Sequence, residues 1–405
     1  MQQPGQQNQP TPKQVFEEAH RLMKMGDLYE AARRAGKLRM HFPEDTPILT
    51  LHGLVLARLG VHPQALHDLI RAAQQTEAAL QKEDDENPAR PRIIDQLIRL
   101  SVQICRSSVA IGEYAAAEEA IKNALDWDPE RGDAVGAQAE LLAAQGKHEE
   151  ALKLIDKGQK EKMDALPLVL AKAQVLLMQE SAGEEALGGV AGELDKQAQV
   201  AGQSALDLGD LLRTLGEVYD RLGRYDDAFA SFRRAAKLRR GGYDPRNYTT
   251  MTTKVVHDWS AQNMSKIVRP EEPGERYVFL LGAPKSGVEE LAAMLAQFDG
   301  ATVIGPLETL SSICVRHLNA RQGVLRPVPL EPQKLRGAQI REAADAYRTQ
   351  VAGHCNESTV RAIDTHPLNI PLAGAAALML PGVKIVMCRR NPIEATLACY
   401  CDAMP

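Results

Sequence analysis

Aromatic residues make up only 4% of this 405-residue chain, with two tryptophans and six phenylalanines. So few large rings disfavour a β-sandwich core and favour helices packed through alanine and leucine. No apolar run approaches the roughly 18 residues of a membrane span, and Met1–Pro10 is polar and uncharged, without the apolar centre of a signal peptide. The six cysteines, at 105, 314, 355, 388, 399 and 401, include no C-x-x-C pair and no histidine at zinc-ligand spacing. Neither a disulfide framework nor a structural metal site is expected, and the thiols fit a reduced, cytoplasmic protein without a membrane anchor. Basic residues are not in excess: the net charge is −5, which argues against a general nucleic-acid binder. The 44% of hydrophobic residues suffices for two or three cored domains.

What the chain does have is a repeat. A G-x-[Y/L/H]-x-x-A motif occurs at Gly26–Ala31, Gly60–Ala65, Gly112–Ala117, Gly146–Ala151 and Gly223–Ala228. Gly26 and Gly60 are 34 residues apart, as are Gly112 and Gly146, which is the tetratricopeptide (TPR) period. The last copy is the fullest: Leu215, Gly216, Tyr219, Gly223, Tyr225, Ala228, Phe232 and Ala235 stand where such a hairpin needs small or aromatic residues. Pro43 and Pro129 mark the stops of second helices. The polar stretch Gln81–Pro91 absorbs an 18-residue excess between Gly60 and Gly112, and a diverged repeat fits around Leu166 to Gln199. Five or six such hairpins stack into a superhelix whose concave face takes an extended peptide or protein, or whose bulk buttresses a neighbouring domain.

After Gly241-Gly242-Tyr-Asp-Pro245 a connecting helix is expected from Asn247 to Ile267, then a turn-rich Arg269–Arg276. The domains expected are a disordered tail over 1–12, the helical repeat array over 13–240, a connecting helix and linker over 241–275 and a second domain over 276–405.

That second domain opens with Tyr277-Val-Phe-Leu-Leu-Gly-Ala-Pro-Lys-Ser-Gly-Val-Glu-Glu-Leu291, an apolar strand, a glycine-bounded loop and an amphipathic helix. Gly282 and Gly287 allow a tight turn, and the first amides of the helix point at whatever sits there, so the loop suits a phosphate or phosphosulfate. The spacing is that of a P-loop, yet Val288-Glu289 replaces the Lys-Ser/Thr that an ATPase, kinase or GTPase needs for phosphate and magnesium.

Read as G-x-P-[R/K]-S-G, the loop resembles the 5′-phosphosulfate loop of sulfotransferases, whose donor is 3′-phosphoadenosine-5′-phosphosulfate (PAPS). Pro381–Tyr400 resembles the family's 3′-phosphate region, a buried strand followed by R-[DN]-P and a helix, and Arg361–Asn369 resembles its D-K-x-P-x-N segment. With the repeats in front, the chain resembles bacterial TPR-containing sulfotransferases, related to protein-tyrosine sulfotransferases. The fold class implied is an all-α TPR superhelix followed by an α/β, P-loop-like domain with a parallel sheet. The resemblance assigns Gly282, Pro284, Lys285, Ser286 and Gly287 to the phosphosulfate, and Arg390 with Arg389 to the 3′-phosphate. Glu308 takes the place of the general base, and no metal is required. Asp364 and Asn369 would shape their loop, and His366 would be structural.

The chain departs from the pattern at Val288 and Glu289, where threonines are usual, at Thr365 in place of a lysine, and at Ala398 in place of a serine. A carboxylate at 289 facing a bound anion at about 4 Å would oppose it by roughly 4 kcal/mol at an effective dielectric near 20; facing solvent it is a favourable helix-start residue. Sulfotransferase domains continue for about another hundred residues beyond this helix, so the domain reads as truncated or abbreviated. Two functions follow: sulfuryl transfer from PAPS to a hydroxyl, a protein tyrosine included, or an inactive TPR scaffold carrying a degenerate sulfotransferase fold.

Overall fold

In the computed structural model, which describes residues 11–84, 86–200, 202–238, 245–305, 309–319 and 332–401, each motif glycine becomes the turn of a helical hairpin. Gly26, Gly60, Gly112, Gly146 and Gly223 all have φ between 71° and 80°, a left-handed turn in which a side chain would be strained. The hairpins are α1 (Pro12–Lys24) with α2 (Leu28–His41), α3 (Thr46–Arg58) with α4 (His62–Leu80), and α5 (Arg90–Ala110) with α6 (Tyr114–Trp127). They continue with α7 (Gly132–Ala144) and α8 (His148–Lys160), α9 (Ala165–Met178) and α10 (Glu184–Gln197), and α11 (Ala205–Arg221) and α12 (Tyr225–Leu238). The α9–α10 pair is the diverged repeat, and its turn carries no left-handed glycine among the described residues. Helices α2 and α6 stop just before Pro43 and Pro129, as the proline positions require.

Small residues set the distance between paired helices. A Cβ on Gly53 would lie 2.8 Å from Leu69 Cγ, and one on Gly216 would lie 2.5 Å from the Phe232 ring. Phe232 is buried with Leu211, Leu215, Val218 and Tyr219 and has no space to yield. Gly216→Ala is therefore expected to destabilise the repeat unit by about 1 to 2 kcal/mol, because overpacking outweighs the gain in helix propensity. A thermal melt that leaves the variant as stable as the parent would contradict the packing described.

The chain divides into two compact units between Gly241 and Gly242, with the residues from Tyr400 onward grouped with the first. The expected end of the array at 241–244 lies outside the described residues. The expected continuous connecting helix is instead α13 (Pro245–Asp258) and a short α14 (Ala261–Met264). Trp259 ends the first, packing against Gly374, where a Cβ would meet its ring at 2.5 Å, and Ser260 begins the second. Both helices belong to the second unit, where Met251, Val255, Trp259 and Met264 cover its core.

The second unit is an α/β layer structure. Four parallel strands, β1 (Tyr277–Gly282), β2 (Ala301–Gly305), β3 (Arg361–Asp364) and β4 (Lys384–Cys388), lie in the order β2-β3-β1-β4. Strand β1 is central and alternates its side chains as pleating dictates. Tyr277, Phe279 and Leu281 face a core with Leu310, Ile340, Tyr347 and Leu378, while Leu280 faces Val288, Ala292 and Ile363. The helices around the sheet are α15 (Val288–Leu295), α16 (Thr309–Ile313), α17 (Gly337–Ala352), α18 (Ala373–Met379) and α19 (Pro392–Cys401). The expectation of a buried strand before the arginine pair is corrected: Lys384, Ile385, Val386 and Met387 are all exposed. The apolar run invited the reading, but among the described residues β4 ends the sheet and pairs with β1 alone.

Candidate anion-binding site

Because the strands are parallel, their carboxyl ends share one edge of the sheet, and that edge is where open α/β sheets bind ligands. It gathers Gly282, Gly305, Asp364 and Cys388. The register pairs Gly282 with Cys388, so the loop after β1 and the arginines after β4 leave the sheet side by side.

The loop is shaped by its own small residues. The amide of Ser286 donates to the Ala283 carbonyl at 3.1 Å, closing a turn. Lys285 and Gly287 then adopt left-handed φ values of 63° and 92°. Left-handed backbone at a lysine is uncommon, and with Gly287 it curls the chain into the concavity that collects N–H groups around an anion. No side chain caps α15, so its first amides are without an intrahelical partner. The Ser286 hydroxyl is buried with no hydrogen-bond partner. An orphaned buried hydroxyl beside uncapped helix amides is what an anion-binding cradle provides, and these residues fit a phosphosulfate group.

Gly282 is indispensable to that shape: a Cβ there would fall directly on Ser286 Oγ and 2.7 Å from Val288 Cγ2. Gly282→Ala is expected to open the loop, to destabilise the second unit by about 2 kcal/mol and to abolish anion binding. Unaltered anion binding by the variant would show that the cradle is elsewhere.

Val288 is 9% exposed and packs with Leu280, Ala292 and Ile363, so this departure from threonine is a core substitution. Glu289 and Glu290 are exposed in the first turn of α15. A Cβ on Gly287 would lie 3.9 Å from Glu290 Oε2, which sets the Glu290 carboxylate beside the loop.

After β4, Asn391 starts α19: its side chain accepts from the Ile393 amide at 2.9 Å, and Pro392 takes the first helical position, where a missing N–H costs nothing. This start aims Arg390 back at the loop, where Nη1 donates to the Lys285 carbonyl at 3.3 Å while Nε pairs with Glu394 at 3.1 Å. Arg389 is exposed beside it. From α19, Cys399 Sγ lies 3.4 Å from the Pro284 carbonyl.

On the opposite side of β1, Asp364 is 1% exposed. Its carboxylate accepts from the His366 amide at 3.0 Å, the Asn369 side chain at 3.0 Å and the Tyr347 hydroxyl at 3.3 Å. Burial pushes its pKa up to about 7 despite these three donors, and burial raises Tyr347 and lowers His366. Asp364, Asn369 and the His366 amide thus form one buried knot that sets the start of the chain after β3.

The structure brings together Gly282, Pro284, Lys285, Ser286, Gly287 and Arg390. Glu308 lies outside the described residues. Tyr347 was not readable from the sequence, since nothing in its helix pattern singles out a hydrogen bond to a carboxylate 17 residues on. Glu394 could have been found as the acidic residue four places after an arginine at a helix start. Among the described residues no group of His, Cys, Asp or Glu could hold a metal ion, and no helix is long and apolar enough to cross a membrane.

Residues 277–404 match the sulfotransferase family, and residues 109–175 and 202–241 match tetratricopeptide repeats. The chain is 25% identical over 195 residues to an uncharacterised protein from Aquifex aeolicus; the match spans 46% of this chain and 25% of that protein. Among solved structures it is similar to a tetratricopeptide repeat protein from Parabacteroides merdae, at 15% identity and a TM-score of 0.39, covering 60% of this chain and 84% of that one. The chain joins an amino-terminal tetratricopeptide-repeat region to a parallel-sheet domain that matches the sulfotransferase family.

Proposed function

We propose that the chain transfers a sulfuryl group from PAPS to a hydroxyl acceptor, a tyrosine of a protein or peptide being the acceptor type its resemblance implies. The observation that carries the reading is the loop itself: uncapped helix amides, a buried unpartnered Ser286 hydroxyl and the Arg390 guanidinium, all at the carboxyl edge of the sheet. The loop amides, Ser286 and Lys285 would hold the 5′-phosphosulfate, and Arg389 and Arg390 the 3′-phosphate. PAPS supplies the activated sulfuryl group when bound. The chain's part is to fix the donor, to stabilise negative charge on the phosphosulfate through the fixed loop dipoles, and, through Glu308, to accept the acceptor's proton. The repeat array would recruit the protein that carries the acceptor.

A second reading, a non-catalytic scaffold, is favoured by one feature. Glu290 lies beside Gly287 and Glu394 pairs with Arg390, so two carboxylates border the loop, and each weakens its hold on a multiply charged nucleotide. Incubation with sulfur-35-labelled PAPS and a panel of tyrosine peptides separates the two. Label in a peptide, lost in Glu308→Gln, supports the transferase; donor bound without any transfer supports the scaffold.

A further inference from the structure

A guanidinium grips a phosphate through two parallel N–H groups on one edge, either Nε with Nη2 or Nη1 with Nη2. Arg390 has one nitrogen of each edge already engaged: Nε with Glu394 Oε2 at 3.1 Å, and Nη1 with the Lys285 carbonyl at 3.3 Å. A bidentate anion can take the Nε–Nη2 edge only by displacing Glu394, while the Lys285 carbonyl already draws on Nη1 of the other edge. The carbonyl belongs to the loop backbone, whose turn is fixed by Gly282 and Ser286. The Glu394 side chain is 57% exposed and the Arg390 side chain 47%, so the carboxylate is the partner free to leave.

We propose that Glu394 competes with the donor's phosphate for Arg390, so that the helix-start carboxylate of α19 sets donor affinity and must release the guanidinium when an anion arrives. The inference rests on the sulfotransferase reading of the site and deepens it by naming the residue that tunes its hold on the nucleotide. Glu394 is a positioning residue, since it acts through Arg390 and in this arrangement touches no donor atom. Glutamate suits the task because an exposed ion pair is weak enough to break for a doubly charged phosphate. In the first turn of α19 it is also favoured by the helix dipole while unpaired.

The test is calorimetric binding of 3′-phosphoadenosine-5′-phosphate to the full chain, its Glu394→Gln variant, its Arg390→Ala variant and the double variant. Glu394→Gln lies on the surface and is expected to fold as the parent does. It should bind about fivefold more tightly at low ionic strength, the scale of a lost exposed competitor, with the gain shrinking as salt rises. In the Arg390→Ala background the same substitution should change nothing, which a merely structural role or a long-range charge effect would not reproduce. Equal affinity of parent and Glu394→Gln overturns the proposal, as does a gain that survives without Arg390. If neither the parent nor any variant binds the nucleotide, the sulfotransferase reading fails, and the competition is then judged by phenylglyoxal labelling of Arg390 followed by mass spectrometry. Faster labelling in Glu394→Gln supports the pairing, and an unchanged rate overturns it.

Discussion

Asp364→Asn is expected to make the second unit more stable than the parent at pH 8 and to change it little near pH 4. The parent carboxyl titrates near 7 when folded, against 3.8 when exposed. Between those values the folded state holds a proton that the unfolded state has released, so stability is full below pH 4 and falls as pH rises to about 7. Three pKa units correspond to about 4 kcal/mol, an upper bound because the buried network will relax. Asparagine is neutral throughout and keeps an acceptor for the His366 and Asn369 donors, and the Tyr347 hydroxyl, which donates to the carboxylate in the parent, can accept from its amide. The buried His366 titrates in the opposite sense, but it is common to both proteins and cancels in the difference. Calorimetric melts of parent and variant at pH 4, 6 and 8 measure it. Parallel stability profiles would show that Asp364 is not held protonated near neutrality.

Arg390→Ala is expected to weaken 3′-phosphoadenosine-5′-phosphate binding by about 1.5 to 3 kcal/mol, roughly tenfold to 150-fold, the worth of a charge-assisted hydrogen bond to a phosphate. The stability of the second unit should barely move, since the pair it loses with Glu394 is exposed. Adenosine 5′-monophosphate distinguishes two placements. A guanidinium that serves the 3′-phosphate leaves its affinity unchanged, whereas one that serves the loop anion weakens both ligands alike. Unchanged affinity for both would place the nucleotide elsewhere.

The repeat hairpins were legible because their determinants are local. A left-handed glycine at each motif turn, small residues at Gly53 and Gly216 and prolines past two of the helix ends fix the hairpin within 34 residues. The sheet was less so. That β1 lies between β3 and β4, and that β4 is its exposed end, depends on pairings more than 80 residues apart, and an apolar strand reads alike in the centre and at the edge. Likewise the break at Trp259 comes from its packing on Gly374, 115 residues away, which no helical periodicity announces. Around the candidate site, the spacing of Gly282 and Gly287 was enough to expect a tight loop between strand and helix, whereas the contact of Arg390 with the Lys285 carbonyl joins residues 105 apart. The burial of Val288 and the Tyr347 bond to Asp364 are tertiary facts. Thr365, read as a lost lysine, is itself only 9% exposed, so its side chain is part of the packing after β3.

The loop is expected to bind a phosphorylated adenosine without magnesium, as the missing lysine and serine or threonine after Gly287 require. Isothermal titration of the full chain with 3′-phosphoadenosine-5′-phosphate in the presence of a chelator measures this directly. Saturable one-site binding, lost in Gly282→Ala and weakened in Arg390→Ala, is the predicted result; no heat at any nucleotide concentration, or binding that appears only with magnesium, would contradict it.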